Sequence, residues 1–335
     1  MVQVRKDYLT DESVIIATIR GSRPRGVPEL ITEAPGFECP FCAGKEKSLP
    51  PAKLVYLKDS SGNFVSKAEL GEEREGSWLV KVLDNKYPVF TAEEQSSEIL
   101  SDKGLKYTVP YGIHELVIDN PLHSSYFHMM NSESVKLLFQ VYKERFIDLA
   151  RDGKIEFISI SKNHGPKSGG TMLHPHSHIV SSSILPERIR KELTTLEAEN
   201  RCVFEEIISR EKSSPRFIIE QQSTVAFCPY ASQFPYEVWL FPKSHANNVT
   251  KLNDDELTDL ALTLRDIARG LDNILDKASY NFIFNQTLKQ ENYHMYIRIF
   301  PRFYFETGFE ISFGMPVNEV PPEKAAEEIR RYFGG

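Results

Sequence analysis

The sequence lacks the features that are typical of membrane-spanning, secreted, nucleic-acid-binding and disulfide-rich proteins. No apolar run approaches the roughly 18 residues of a membrane-spanning helix, so we expect no membrane span. The first residues carry no apolar stretch behind their basic side chains, so we expect no signal peptide. The 40 Lys and Arg are outnumbered by 47 Asp and Glu, which argues against a bulk binder of nucleic acid or of an anionic membrane. Four cysteines in 335 residues do not make a disulfide scaffold, and a cytoplasmic location is expected.

The chain does have enough apolar material for a large core. Hydrophobic residues make up 41% of it and aromatic residues 11%, which excludes global disorder. A length of 335 residues exceeds one minimal domain and predicts either two domains or one fused double domain.

Two segments of the sequence share a layout. Residues 114–123 and 236–245 each predict a strand running into a loop, and their last residues are 122 positions apart. Apolar residues then recur at helical spacing over 132–150 and over 254–275.

The likeness continues after the two predicted helices. A strand follows each helix, ending near Asn163 in the first case and at Asn285, again 122 residues later, in the second. His174 and His294, 120 residues apart, then open the last matching segments. The sequence therefore predicts an internal duplication of a strand–helix–strand–strand unit.

The segment with the clearest chemical character contains three histidines. Alternation along a strand would put His174, His176 and His178 on one face. Three imidazoles do not suit an ordinary core, because each needs a polar partner. Imidazole can bind metal, move protons or attack phosphorus near neutral pH.

A Cys-x-x-Cys pair is typical of a zinc half-site or a redox motif. Cys39 and Cys42 have a Pro-Gly turn before them and Ala-Gly-Lys after them, which favours zinc. No second such pair exists, so the remaining ligands should be histidines, and His123 and His174 are the natural candidates. The alternative is two unliganded surface thiols. The other two cysteines lack a ligand spacing and are expected to play no part.

Two segments could bind phosphate. The glycine-rich stretch 162–171 can wrap backbone N–H groups around an anion, although such a stretch is often only a turn. Arg20, Arg23 and Arg25 suit bidentate phosphate contacts, but without further context a solvated basic loop is the better explanation.

Taken in order, these motifs resemble the galactose-1-phosphate uridylyltransferases, the nucleotidyltransferase branch of the histidine triad superfamily. The similar segments are 8–24, Cys39–Gly44, Asp84–Pro88, Gly112–Glu115, Lys162–Gly165, the His-Pro-His strand, Phe234–Trp239 and Gly308–Glu310. The family is a fusion of two histidine-triad-like halves, in agreement with the duplication. The fold expected is α+β, with duplicated triad-like units and helices packed on antiparallel sheets. The domains expected are 1–195, with the zinc site and nucleophile, and 196–335, without a nucleophile.

The resemblance also implies roles for particular residues. His176 would attack the α-phosphorus of a nucleoside diphosphate sugar and form a covalent nucleotidyl-histidine, from which a second sugar phosphate takes the nucleotide. Phosphate oxygens, the nucleotide and the hexose would be bound by Arg20, Arg23, Asn85, Asn163, Gly165, Gly170, Thr171 and Glu310. A structural zinc would be held by Cys39, Cys42, His123 and His174 and would anchor the strand of the nucleophile.

The chain departs from the family pattern at three positions. His178 stands where the family carries a glutamine that holds the nucleotidyl phosphate. A histidine at this position restores the triad of nucleotide hydrolases, so water remains a candidate acceptor of the nucleotidyl group. An imidazole of ordinary pKa there would make hydrolysis of the intermediate depend on pH between about 6 and 7.5. Tyr296 and Arg298 replace the second and third histidines in the second half, so neither a second active site nor a second metal is expected. A salt bridge is the favoured role for Arg298.

The leading hypothesis is a hexose-1-phosphate uridylyltransferase, acting on UDP-glucose and galactose 1-phosphate, with His176 and His178 as catalytic residues and a homodimer as its assembly. Its partners would be a nucleoside diphosphate sugar and a hexose 1-phosphate, with no nucleic acid and no membrane. The alternatives are an ADP-sugar phosphorylase or adenylyltransferase, a triad-type nucleotide hydrolase, and a zinc-stabilised nucleotide-binding regulator without turnover.

Overall fold

The structure is a computed structural model that describes residues 2–18, 37–70, 76–92, 100–199, 202–303 and 306–334. The predicted phosphate ligands Arg20 and Arg23 lie outside these ranges. The strands are β1 Val2–Lys6, β2 Ser13–Ala17, β3 Leu54–Lys58, β4 Phe64–Lys67, β5 Val80–Asp84, β6 Leu100–Asp102, β7 Leu105–Tyr107, β8 Gly112–Ile118, β9 Phe157–His164, β10 His176–Ser182, β11 Phe217–Glu220, β12 Thr224–Phe227, β13 Val238–Pro242, β14 Tyr280–Asn285, β15 Tyr296–Pro301 and β16 Val317–Asn318. The helices are α1 Ser132–Leu149, α2 Glu187–Ala198, α3 Val203–Lys212, α4 Asp254–Leu275, α5 Gly308–Phe313 and α6 Pro322–Tyr332, with short 3-10 helices at Glu46–Ser48, Phe127–Met129 and Val249–Lys251.

A large antiparallel sheet organises the molecule. Among the described residues, eleven strands lie in the order β11-β12-β13-β15-β14-β9-β10-β8-β5-β3-β4. A smaller sheet has the order β1-β2-β16, and β6 pairs with β7. Helices pack on the large sheet, so the predicted α+β class with antiparallel sheets is confirmed.

The register at the centre of the large sheet shows the duplication directly. Strands β9 and β14 pair with each other, and the flanking order β10-β8 on one side is repeated as β15-β13 on the other. Ser161 of β9 lies opposite Ile283 of β14. These two residues are 122 positions apart, the offset found in the sequence, so a pseudo-twofold axis passes between them. Both halves therefore share one sheet. The predicted boundary at residue 195 falls within α2, and the division into domains stays a prediction.

Helices α1 and α4 are the duplicated helices and contact each other on one face of the sheet. Their bounds agree with the predicted ranges to within one residue. Asn253 caps α4: its side chain accepts from the backbone of Glu256, whose carboxylate accepts from the backbone N–H of Asn253. The main hydrophobic core lies between these helices and the sheet. Within the described ranges, no helix has the length and apolar character needed to cross a bilayer.

The histidine segment lies on the other face of the sheet. Ser177 points toward the helices, because its Oγ lies 2.6 Å from the hydroxyl of Tyr142 in α1. The neighbouring side chains of His176 and His178 therefore point away from the helices. Strand β10 begins at His176, so His174 precedes the strand, and the prediction that all three histidines belong to it is wrong in this detail.

Candidate active site and metal centre

A buried polar network holds the start of β10 from the helix side. Lys162 of β9 forms an ion pair with Asp119, and the two side chains are 1% and 0% exposed. The Lys162 ammonium also donates to the carbonyl of His176 at 3.0 Å. Ser177 donates to the other oxygen of Asp119 at 3.0 Å. Burial lowers the pKa of Lys162, which the nearby Asp119 opposes. This network holds the backbone of His176, the predicted nucleophile, in place. Its charged groups are withdrawn from solvent, so water cannot replace their hydrogen bonds.

His176 has one ring nitrogen free for chemistry. Its Nδ1 lies 2.8 Å from the carbonyl oxygen of His174. A carbonyl can only accept, so Nδ1 carries the proton. Burial lowers the pKa of His176, so the ring is neutral near pH 7 and Nε2 holds a lone pair. The ring is 5% exposed and lies 5.4 Å, between centroids, from that of Phe41. This is the tautomer that a nitrogen nucleophile requires.

All four predicted zinc ligands come together beside this histidine. The ligand atoms of Cys39, Cys42, His123 and His174 lie within 4.8 Å of one another. The Cys42 sulfur is 3.4 Å from Nδ1 of His123 and 3.5 Å from Nδ1 of His174. His174 turns its Nε2–H to the carbonyl of Asn120 at 2.9 Å, which directs Nδ1 into the group. Two thiols and two imidazoles are a donor set that suits tetrahedral zinc, so the residues fit the predicted metal.

We expect the Cys39–His174 group to bind one zinc ion. The metal would tie the Cys39–Cys42 turn to the residues just before β10, so its loss should also loosen the nucleophile. Elemental analysis of Cys42→Ser should show one equivalent of zinc fewer than the parent protein. Cys228→Ala is the matched control, because Cys228 is fully buried in the other half and outside this group. Equal zinc contents in Cys42→Ser and the parent would refute the site.

A second group of side chains of the kinds that bind metal lies in the C-terminal half, where no metal was expected. The ligand atoms of Cys202, Glu205 and His245 lie within 4.8 Å of one another, and Nδ1 of His294 is 3.3 Å from Nδ1 of His245. The expectation that Cys202 plays no part rested on sequence spacing alone, and the fold brings the histidines to it from more than 40 residues away. Zinc that persists in Cys42→Ser but is lost when Cys202→Ser is added would be assigned to this group.

His178 has a histidine neighbour for which the sequence predicted no individual role. Its Nδ1 lies 3.0 Å from Nε2 of His114 on β8. The predicted nucleotide ligand Asn85 also contacts His114, with its amide nitrogen 3.1 Å from the same Nε2 and 3.3 Å from Nδ1. Burial, together with neighbouring imidazoles and Lys162, lowers the pKa of His178 to about 3. The expected titration between about 6 and 7.5 is therefore wrong, because a ring withdrawn from water stays neutral throughout that range.

Comparisons with known proteins agree with this geometry. A family model described as "Galactose-1-phosphate uridyl transferase, C-terminal domain" matches residues 200–331, and one described as "Domain of unknown function (DUF4931) N-terminal domain" matches residues 105–184. The galactose-1-phosphate uridylyltransferase of Thermotoga maritima is 23% identical over 346 residues, which cover 98% of both chains. The C-terminal part of the chain thus matches the galactose-1-phosphate uridylyltransferase family model, and the likeness to the relative from Thermotoga maritima extends over nearly the whole chain.

Another relative carries a different name. The ADP-glucose phosphorylase of Arabidopsis thaliana is 27% identical over 343 residues, which cover 98% of this chain and 92% of that one. A crystal structure of an ADP-glucose phosphorylase from the same plant, with bound ADP-glucose, has a TM-score of 0.79, 26% identity and 98% coverage of both chains. Together these relatives support a nucleotidyltransferase of this family.

The glycine-rich loop 162–171 is anchored to the central strands. Asn163 accepts a hydrogen bond of 2.6 Å from the amide of Asn281, which also donates to the carbonyl of Ser168 at 3.0 Å. Gly165 has φ +79°, and a Cβ there would lie 2.5 Å from the hydroxyl of Ser279. A side chain at this position would therefore displace the loop. Its predicted contacts with phosphate stay a prediction.

Gly170, Thr171 and Glu310 are the remaining predicted substrate-binding residues within the described ranges. Gly170 lies against Asn163, such that an added Cβ would be 3.4 Å from the Asn163 Cβ, and Thr171 is exposed. The Glu310 carboxylate accepts from the backbone N–H of Thr307 at 3.0 Å and so caps α5. These contacts give Glu310 a structural part, and its predicted contact with the hexose stays a prediction.

The C-terminal half uses the positions of the second and third histidines for packing. Tyr296 is buried and donates to Glu192 at 2.7 Å. Arg298 is buried in an ion pair with Glu237 at 2.8 Å, the role that the sequence favoured for it. Neither side chain is an imidazole like that of His176, and the expectation of a single active site stays a prediction.

Proposed function

We propose that the protein transfers a nucleoside monophosphate from a nucleoside diphosphate hexose to a phosphate-bearing acceptor through His176. The observation that carries the proposal is the contact of His176 Nδ1 with the His174 carbonyl at 2.8 Å, which presents Nε2 as a nucleophile. In the first step a bond forms between Nε2 and the α-phosphorus, and the bond from that phosphorus to the bridging oxygen breaks. Hexose 1-phosphate leaves with this oxygen. In the second step a phosphate oxygen of the acceptor attacks the same phosphorus and Nε2 leaves.

Adenylyl and uridylyl donors are both candidates. The resemblance of the sequence motifs favours UDP-glucose with galactose 1-phosphate. The greater identity to the relative named ADP-glucose phosphorylase, 27% against 23%, favours ADP-glucose, with orthophosphate as acceptor. We infer that ADP-glucose is the donor to test first, with UDP-glucose as the second candidate.

The decisive experiment looks for the covalent intermediate. The full-length protein is loaded with zinc and incubated separately with ADP-glucose and UDP-glucose that are radiolabelled in the α-phosphate, and denatured protein is then assayed for label. We expect label with one donor and its release when orthophosphate or a hexose 1-phosphate is added. Cys228→Ala is the control, because the Cys228 thiol is buried in the C-terminal half and belongs to none of the groups that could hold a metal. Absence of label with both donors would contradict the proposal.

The same experiment separates the alternative functions. A triad-type hydrolase would release labelled nucleotide steadily without any acceptor. A nucleotide-binding regulator would bind a donor but neither retain label after denaturation nor release product. The predicted homodimer stays a prediction, and nothing in the proposed chemistry depends on it.

A further inference from the structure

A third group of metal-binding side chains lies apart from the two already described. It consists of His128 from the 3-10 helix Phe127–Met129, His164 from the end of β9 and Asp272 from α4. Their ligand atoms lie within 4.8 Å of one another. Nε2 of His128 is 3.5 Å from a carboxylate oxygen of Asp272. Two ligands of a tetrahedral zinc ion, each about 2.0–2.1 Å from the metal, lie about 3.3–3.4 Å apart, so this separation suits a shared ion.

Two buried polar atoms at this group have no hydrogen-bond partner among the described residues. They are Nδ1 of His128 and the hydroxyl oxygen of Tyr280. His128 is 6% exposed and Tyr280 is fully buried. The Tyr280 ring lies 4.6 Å from that of His164 and 6.3 Å from that of His128, between centroids. Folded proteins leave few buried polar atoms unpaired because each one is costly, so two at one place indicate that the group binds a ligand.

A simple ion pair between His128 and Asp272 is the alternative explanation of their contact. A charge-assisted hydrogen bond would bring the two atoms to about 2.7–2.9 Å, well below the separation of 3.5 Å. Burial also lowers the pKa of His128, although Asp272 opposes this shift. Burial lowers the pKa of His164 to about 3. Both rings are therefore neutral near pH 7 and have the lone pair that a metal ion requires.

We propose that His128, His164 and Asp272 bind one divalent transition-metal ion, for which Zn²⁺ is the probe. Two imidazoles and one carboxylate suit zinc with an open fourth position, whereas Mg²⁺ and Ca²⁺ prefer oxygen ligands throughout. Sites of this kind bind Zn²⁺ more tightly than Mn²⁺ or Fe²⁺, so a site that takes no zinc is not a transition-metal site. A water molecule would complete the coordination, and the unpartnered hydroxyl of Tyr280 is available to hydrogen-bond to it.

The position of the group indicates what the ion would hold together. His164 is the last residue of β9 and directly precedes Gly165, whose φ of +79° lies in the glycine-rich loop. Asp272 lies on the long helix of the C-terminal half. An ion bound to both residues would tie the beginning of this loop to α4, across the junction of the two halves. The site is therefore a positioning site, and its existence does not depend on the proposed transfer reaction.

Elemental analysis of the full-length protein tests the site directly. The protein is dialysed against Zn²⁺ and then against metal-free buffer. Asp272→Asn should contain one equivalent of zinc fewer than the parent, because a neutral amide is a much weaker ligand than a carboxylate, and His128→Gln should lose the same equivalent. Asp255→Asn is the matched control: it makes the same change at an exposed position at the other end of α4 and should keep the parental content. Parental zinc content in both Asp272→Asn and His128→Gln would overturn the proposal.

A thermal measurement separates a lost ligand from a weakened fold. Zn²⁺ should raise the unfolding temperature of the parent more than that of Asp272→Asn, because only the parent gains binding energy at this group. If Asp272→Asn lowers the unfolding temperature equally with and without Zn²⁺, Asp272 has a structural role alone and the proposal fails.

A background without the other two groups isolates this one. Cys42→Ser combined with Cys202→Ser removes a ligand from each of them. The folded double variant should still bind one equivalent of zinc and should lose it when Asp272→Asn is added. A folded double variant that binds no zinc would overturn the proposal. Neither measurement uses a nucleotide sugar, so failure of covalent labelling would refute the proposed function and leave this site standing.

Discussion

His176→Ala is expected to abolish covalent labelling by the nucleotide sugar and to lower nucleotidyl transfer by at least about 10⁴-fold, as losses of a nucleophile in covalent catalysis do. Because Nδ1–H of His176 donates to the His174 carbonyl, Nε2 of the neutral ring keeps the lone pair that attacks phosphorus. Alanine offers no group that could replace it. The measurement is exchange of label between a nucleoside diphosphate glucose and glucose 1-phosphate.

Two controls keep this result interpretable. The predicted zinc ligand His174 is only two residues from His176, so the zinc content of the variant has to be measured. It should equal that of the parent, which would exclude collapse of the predicted metal site. Cys228→Ala removes a buried thiol from the C-terminal half, outside the proposed site, and should keep most of the exchange activity. Wild-type exchange in His176→Ala would refute the nucleophile.

The fold could be predicted largely because the corresponding segments of its two halves keep a nearly constant offset in the sequence. An offset of 122 residues survives in the central register, where Ser161 faces Ile283. The clustering of Cys39, Cys42, His123 and His174 could be predicted because a Cys-x-x-Cys turn is a local motif that lacks a second pair, which left these histidines as candidates to complete it. Each of these features depends on neighbouring residues or on a constant offset, both of which are visible in one sequence.

The partners of the proposed catalytic histidines could not be predicted in this way. Lys162 and Asp119 are 43 residues apart, and His114 and His178 are 64 apart. They meet because β10 lies between β8 and β9 in a particular register. A polar residue inside an apolar strand signals that some partner exists, but only the register of the sheet says which one. The C-terminal metal-ligand group was missed for the same reason.

Lys162→Met is expected to lower the free energy of unfolding by about 3–5 kcal/mol. The substitution leaves the carboxylate of Asp119 in a fully buried position without its counter-charge, and removing one partner of a buried pair costs about this much. Urea denaturation followed by circular dichroism measures the change. The exposed pair of Lys58 and Glu133, with an N–O distance of 2.8 Å, supplies the control: Lys58→Met should cost no more than about 1 kcal/mol.

Replacing both partners separates the cost of an unpaired charge from the value of the pair. Lys162→Met combined with Asp119→Leu leaves no buried charge, so much of the lost stability should return. Transfer activity should not return with it, because the ammonium of Lys162 donates to the carbonyl of His176 at 3.0 Å and no apolar side chain can do so. A double variant with parental stability but strongly reduced transfer would show that the pair is kept to position the nucleophile. Parental stability in Lys162→Met alone would contradict a buried ion pair, and full activity in the double variant would contradict its positioning role.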